Sequence, residues 1–251
     1  KPQFYVDKEL RLAVFTPENH DGESPLPILM DPYGGPHAQR VIKAARPHLI
    51  SQWIANKGYL VVTADGWGTP GVDPGCDFKI HEDLATPALT SQLRALEFVA
   101  SKYKFADTEN VGIRGWSFGG FLAALCVLEA PEHFHAASAG APVTEWELYD
   151  TAYTERYLGH PHRDPEAYAA SGLLGHCDSL SRPLLLIHGM ADDNVLFTHS
   201  TKMYKALQEA GIPFQMMTYP GSKHALHERH VSIHRFTALF KFFREKLGAG
   251  S

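Results

Sequence analysis

The run VGIRGWSFGGFLAALCVLE, residues 111–129, decides the fold. Residues 111–115 are short and nearly all apolar, as expected of a strand buried on both faces of a parallel sheet. Residues 121–129 read as a helix, and between the two segments stands Gly115-Trp116-Ser117-Phe118-Gly119, a G-x-S-x-G. A strand that passes into a helix through so few residues turns too sharply for bulky neighbours. Glycines therefore flank the serine, and its hydroxyl is left exposed above the sheet edge. Chance alone supplies roughly 0.1 such patterns in a chain of this composition, so the motif carries weight only if chemical partners accompany it.

Outward from this run, apolar segments of two lengths alternate between turn-rich stretches. Strands are expected at 10–15, 26–30, 59–64, 136–140, 184–188 and 214–219. One helix starts at about Pro87 with Thr86 as its N-cap and carries Leu89, Leu93, Leu96, Ala100 and Tyr103 on one face. Another spans about 199–210 and stops at Gly211 and Pro213. The last places Phe236, Leu239, Phe240, Phe243 and Leu247 on a stripe that suits burial against a sheet, and residues 248–251 read as a frayed tail. The alternation predicts an α/β fold in a single domain with a mostly parallel sheet and helices on both faces.

A serine hydroxyl is a weak nucleophile at neutral pH and needs an imidazole to take its proton and a carboxylate to orient that imidazole. Both are present in the order serine, acid, histidine. The loop after the strand 184–188 carries Asp192, with Asp193 in reserve, and the loop after 214–219 carries His224. Parallel strands deliver all three loops to one edge. The backbone N–H of Phe118 is the first donor expected for the oxyanion of a tetrahedral intermediate. The second comes from the early loop Asp31-Pro32-Tyr33-Gly34-Gly35-Pro36, where Tyr33 can donate its phenolic O–H, unless this is simply a tight turn with a partly buried tyrosine.

A competing G-x-G-x-x-G occurs at Gly66, Gly68 and Gly71. A dinucleotide fingerprint needs a helix that begins inside the motif, and Pro70, Gly71, Pro74 and Gly75 interrupt any helix there, so the stretch reads as a glycine-rich loop. No cofactor is expected. His227, His230 and His234 recur at helical spacing without an HExxH or a cysteine partner, which favours a solvated basic helix start over a metal site. Cys126 reads as a buried small hydrophobe.

The chain has 251 residues, 44% of them hydrophobic, with 23 Lys plus Arg against 28 Asp plus Glu. Disorder is excluded on composition, and a net charge of −5 without a basic block argues against nucleic acid as a partner. The longest uncharged stretch, 115–128, is too short to span a bilayer, so no membrane partner is expected. Three unpaired-looking cysteines suit a reducing, cytoplasmic setting. A start at Lys1 without an initiator Met or signal segment suggests one part of a longer protein.

With Gly-Trp-Ser117-Phe-Gly-Gly, His188-Gly-Met-Ala-Asp192-Asp-Asn-Val and Tyr33-Gly-Gly-Pro in one chain, the sequence resembles the catalytic domain of the prolyl oligopeptidase family, nearest the dipeptidyl peptidase IV branch. The resemblance covers nearly the whole chain. It implies an α/β-hydrolase fold, Ser117, Asp192 and His224 as the triad, Tyr33 and the Phe118 N–H as oxyanion donors, and a peptide substrate. It also implies that Val143, Trp146, Tyr149, Tyr153, Asn194 and Val195 wall a pocket for proline ahead of the cleaved bond. Taken alone, Trp146, Tyr149, Tyr153 and Tyr157 follow helical spacing and suit a plain core stripe. The β-propeller of the family is absent from this sequence, and Trp67 stands where an arginine is usual.

The leading expectation is a serine peptidase that cleaves after proline or a small residue through an acyl-enzyme. The same triad also suits an esterase, and a non-catalytic binding module on the same fold is the reading from another class.

Overall fold

The structure is a computed structural model that describes residues 2–72 and 74–248. Its strands are β1 (Gln3–Asp7), β2 (Leu10–Phe15), β3 (Leu26–Met30), β4 (Leu60–Asp65), β5 (Ala106–Trp116), β6 (Ala136–Gly140), β7 (Leu184–Gly189) and β8 (Gln215–Tyr219). They form one sheet in the order β1-β2-β4-β3-β5-β6-β7-β8. β1 with β2 and β2 with β4 are antiparallel, and every pairing from β4 through β3 to β8 is parallel. The expected strands are found with ends shifted by a residue or so, except that β5 begins five residues before Val111. β1 was not anticipated. Its residues are all partly or fully exposed and pair on one side only, so it lacks the buried apolar run that marks the inner strands.

The helices are α1 (Leu49–Ala55), α2 (Thr86–Lys102), α3 (Phe118–Glu129), α4 (Thr151–Leu158), α5 (Pro165–Ser171), α6 (Thr198–Glu209) and α7 (Arg229–Leu247). Two cores result. One lies between the sheet and the side bearing α2, α3 and α6, and the other lies under α1 and α7. α7 lays Leu239, Phe243 and Leu247 on the sheet as the stripe predicts, and Gly112 of β5 has no side chain where Phe243 and Leu247 approach. Gly248 ends α7 in the left-handed conformation at φ 69°, and the rest of the expected tail lies outside the described residues.

Two expectations about α2 are corrected. Thr86 is the first helical residue rather than the cap. The capping acceptor is Asp83, whose Oδ1 takes the N–H groups of Ala85 and Thr86 at 2.9 and 2.8 Å. The buried face is Ala88, Ser91, Gln92, Ala95, Leu96 and Val99, while Leu89 and Leu93 are half-buried and Ala100 is exposed. Small residues win this face because the helix crosses the glycine-rich loop closely. A Cβ on Gly66 would sit 2.3 Å from Ser91 Oγ, and that hydroxyl accepts the Trp67 N–H. The loop itself makes turns through Gly68 and Gly71 at φ 85° and 77°, and among the described residues no α-helix begins inside the motif, the next starting at Thr86. Trp67 donates Nε1–H to Glu9 at 2.6 Å, and Lys79 and Arg94 each stand 5.4 Å from its ring centroid.

Beside β3 and β4 lies a polar knot that ties down the chain following Tyr33. Asp31 is buried and paired with Arg40 at 2.9 Å and Arg114 at 3.2 Å, and Asp65 accepts the backbone N–H groups of Arg40 and Val41. Burial raises the Asp65 carboxyl to about 6 although the two N–H donors and the Arg40 charge pull it down. The unfolded chain therefore loses this proton near pH 4, while the folded chain keeps it until about pH 6. Stability falls as pH rises through that window, by on the order of 2–3 kcal/mol, and then levels off. Asp65→Asn keeps an acceptor for the two amides and is expected to flatten this part of a melting-temperature profile measured between pH 4 and 7. A slope equal to wild type would contradict the account.

Candidate active site

Ser117 joins β5 to α3 at φ 60° and ψ −120°, a conformation that side-chain-bearing residues adopt only where their surroundings enforce it. The enforcement is visible. Its N–H donates to Gly140 O at 2.8 Å, and its own carbonyl accepts from Phe121 N at 2.9 Å. A Cβ on Gly115 would lie 1.9 Å from Gly119 O, one on Gly119 2.8 Å from Pro32 O, and one on Gly120 2.2 Å from Gly140 O. The glycines are thus required by backbone contacts across the turn. Helix α3 is apolar all round and buried from Phe118 to Leu128, with Cys126 in its core, so the elbow rests on a rigid base.

Asp192 and His224 come from the loops after β7 and β8, which are laced together. Met190 N–H donates to Tyr219 O at 2.9 Å, Ala191 N–H to Ser222 O at 3.0 Å, and Gly189 leaves no room for a Cβ against Ser222 O. Across this seam His224 Nδ1 meets Asp192 Oδ2 at 2.7 Å. The histidine loop is also tied to the elbow, because Trp116 Nε1–H donates to the His224 carbonyl at 2.9 Å. Asp193 points the other way, exposed and paired with Lys223 at 2.6 Å, which removes it as the reserve acid.

Asp192 is buried and would be raised by desolvation, but hydrogen bonds from His188, His224 and the Asn194 N–H outweigh this and hold it well below the usual carboxylate range. His188 was quoted in the sequence motif without a role. Its Nε2 faces two acceptors, Asp192 Oδ2 at 3.1 Å and Val195 O at 2.9 Å, so it carries the proton there, and its Nδ1 accepts from the Ser200 hydroxyl at 2.7 Å. The HGxxD spacing is the signal that points to it.

Tyr33 follows β3 and is half-buried. Burial pushes its phenol up to about 12, Tyr149 adds to this, and the neighbouring Ser117 side chain pulls the other way, so Tyr33 keeps its proton at neutral pH. Gly35 lies against the Phe118 ring, where a Cβ would come within 2.4 Å. The early loop is therefore seated on the first residue of α3, whose backbone N–H is free of the helix's own pattern.

The residues expected to wall a pocket, apart from the exposed Asn194, join one cluster. Phe118, Val143, Trp146, Tyr157 and Val195 are buried within it, and Tyr33, Tyr149 and Tyr153 pack against it half-exposed. Trp146 and Tyr153 are parallel at 6.0 Å, and Tyr149 stands edge-on to both. Trp146 and Tyr149 precede α4, so the four aromatics are not one helical stripe, and only Tyr153 and Tyr157 share a helix. Tyr149 donates to Asn194 Oδ1 at 3.1 Å, linking the aromatic wall to the loop of Asp192. The segment is pinned from behind. Trp146 Nε1–H donates to Ser171 O at 2.7 Å, and Thr144 bonds both the ring and the carbonyl of His199. Burial lowers His199 to about 4 and keeps it neutral. Of the helix-start histidines, His227 and His230 are exposed and His234 bonds the Tyr219 hydroxyl.

A mostly parallel sheet with a serine at a strained strand–helix turn and an aspartate and a histidine on the loops after the second and third strands beyond it defines an α/β hydrolase. The sequence model of the prolyl oligopeptidase family matches residues 47–250. The chain belongs to that family of serine peptidases. Dipeptidyl peptidase 8 of Homo sapiens is 33% identical over 229 residues, covering 89% of this chain and 25% of that protein. Dipeptidyl peptidase 4 of Sus scrofa is 31% identical over 232 residues, covering 91% of this chain and 30% of that one. The crystal structure of dipeptidyl peptidase 4 from Porphyromonas gingivalis superposes with a TM-score of 0.90 at 28% identity over 98% of this chain and 35% of its own. The chain thus spans about a quarter to a third of these relatives. Among the described residues, no helix is long and apolar enough to cross a membrane.

Proposed function

We propose that this chain hydrolyses peptide bonds after proline or a small residue, with Ser117 as nucleophile, His224 as general base and Asp192 as its orienting acid. The observation that carries the reading is the 2.7 Å contact of His224 Nδ1 with a buried, ionised Asp192, on a loop bonded to the residue preceding Ser117. Asp192 fixes the proton on Nδ1 and leaves Nε2 as the base.

Ser117 Oγ attacks the substrate carbonyl carbon while its proton passes to His224 Nε2. The carbonyl oxygen becomes an oxyanion that accepts hydrogen bonds from the Phe118 N–H and the Tyr33 hydroxyl. The intermediate collapses as the C–N bond breaks, and the leaving amine takes the proton from His224. Water then attacks the acyl-enzyme, giving its proton to His224, and the acid product departs as Ser117 regains its hydrogen. A pyrrolidine ring suits the aromatic wall because it is rigid and apolar and loses little entropy on binding.

Relatives named as dipeptidyl peptidases support a peptide substrate. Turnover of a proline-anilide substrate against a short acyl ester separates the peptidase from the esterase. The proposal predicts cleavage of the anilide; cleavage of the ester alone would make this chain an esterase.

A further inference from the structure

His37 is the fourth residue after Tyr33, exposed, and has φ 78°, which only its surroundings can hold in a residue with a side chain. The loop is fastened on both sides of it. Gly35 lies on the Phe118 ring, and the amides of Arg40 and Val41 are held by Asp65. Between these anchors the chain arches outward and lays the His37 imidazole on Tyr153, with ring centroids 4.9 Å apart and planes 21° apart. Tyr157 meets the same imidazole edge-on at 6.2 Å.

Tyr153 thus stacks with two rings, Trp146 at 6.0 Å and 5° and His37 at 4.9 Å and 21°. Trp146 is buried and fixed by its bond to Ser171 O, whereas α4 carries Tyr153 on a helix of eight residues. Nothing in the catalytic chemistry uses His37. Its ring is a direct contact between the loop that bears Tyr33 and the helix that bears the outer aromatic of the proposed pocket.

We propose that His37 is a specificity-determining positioning residue: stacked on Tyr153, it sets the width of the pocket for the residue ahead of the cleaved bond. This rests on the pocket reading given above. A Tyr153 ring held by His37 cannot swing outward, so it keeps its place relative to Trp146 and Tyr149 when a flat five-membered ring packs against them. A small side chain, which does not touch Tyr153, gains little from that restraint.

The test compares kcat/KM for matched proline and alanine anilides in wild type, His37→Gly and His37→Phe. Glycine adopts φ 78° without strain, so the first variant removes the ring and spares the backbone. His37→Gly is expected to lower the proline-to-alanine ratio about 5–10-fold, chiefly through a higher KM for proline, and His37→Phe to restore it to within about twofold, on the scale of a lost aromatic contact. A ratio unchanged in His37→Gly, or equally lowered in His37→Phe, would overturn the proposal while leaving the assignment of Ser117, Asp192 and His224 standing. A wild-type chain that cleaves neither anilide would overturn both.

Discussion

Ser117→Ala is expected to lower kcat on a proline anilide by about four to six orders of magnitude, with KM within a few-fold of wild type. The size follows from the division of labour in the site. Without Oγ there is no acyl-enzyme, and water must attack the carbonyl directly, helped only by the oxyanion donors and by binding. Those donors remain in place, because the Phe118 N–H belongs to the backbone of the elbow and the Tyr33 ring stays buried even though its hydroxyl loses the Ser117 side chain as a partner. The fold should tolerate the change as well, since alanine removes one oxygen from a partly exposed position and keeps the elbow's φ of 60° unaltered. Steady-state kinetics with an active-site titration checks it, and retention of more than a tenth of the wild-type rate would show that the nucleophile lies elsewhere.

Asp192→Asn comes next, with an expected loss of about four orders of magnitude in kcat. The asparagine amide is nearly isosteric but offers one acceptor oxygen in place of a carboxylate that now takes hydrogen bonds from His224, His188 and the N–H groups of Asn194 and Val195. If the amide NH2 turns toward His224, it favours the tautomer with the proton on Nε2, which cannot act as a base. The imidazolium formed during attack also loses its counter-charge. Stability should change in a pH-dependent way. The folded carboxyl holds its proton less tightly than the unfolded one, so the network stabilises the fold above about pH 4, and that contribution disappears as pH falls further. The neighbouring Asp193→Asn touches only an exposed pair with Lys223 and is expected to change kcat less than twofold. Equal effects of the two substitutions would contradict the assignment of the acid.

The inner strands and the elbow were legible because each is fixed by a local rule. A strand buried on both faces must be almost wholly apolar, and a strand–helix turn this tight must be glycine-flanked, as the backbone contacts of Gly115, Gly119 and Gly120 make plain. The edge strand β1 was not legible, because one-sided pairing and exposure leave no such pattern in QFYVD. The face of α2 was misjudged by following its leucines. What decides that face is how close the helix comes to Gly66, a long-range contact that small residues permit and that periodicity does not reveal.

In the site, Asp192 and His224, the proposed acid and base, were chosen from their places after successive strands, and the structure brings the two side chains within 2.7 Å. His188 and His37 could not be given roles in the same way. The first is held by two acceptors on the loop after β7 and by Ser200 of α6, and the second stacks on a helix more than a hundred positions away, neither of which a local pattern reveals. The aromatic segment 146–157 illustrates the limit from the other side. Its spacing suggests one helical stripe, yet the chain breaks into a short turn and α4, burying Trp146 and Tyr157 and leaving Tyr149 and Tyr153 half-exposed beside Ser117's neighbour Tyr33.

The central claim is that Ser117 is a nucleophile activated by His224. Reaction with a fluorophosphonate followed by mass mapping of the modified peptide tests it without assuming any substrate. The account predicts a single adduct on Ser117, absent from Ser117→Ala and formed at least a hundredfold more slowly in His224→Ala, in line with the contribution of a general base. An adduct on another residue, or none on folded wild-type protein, would contradict it.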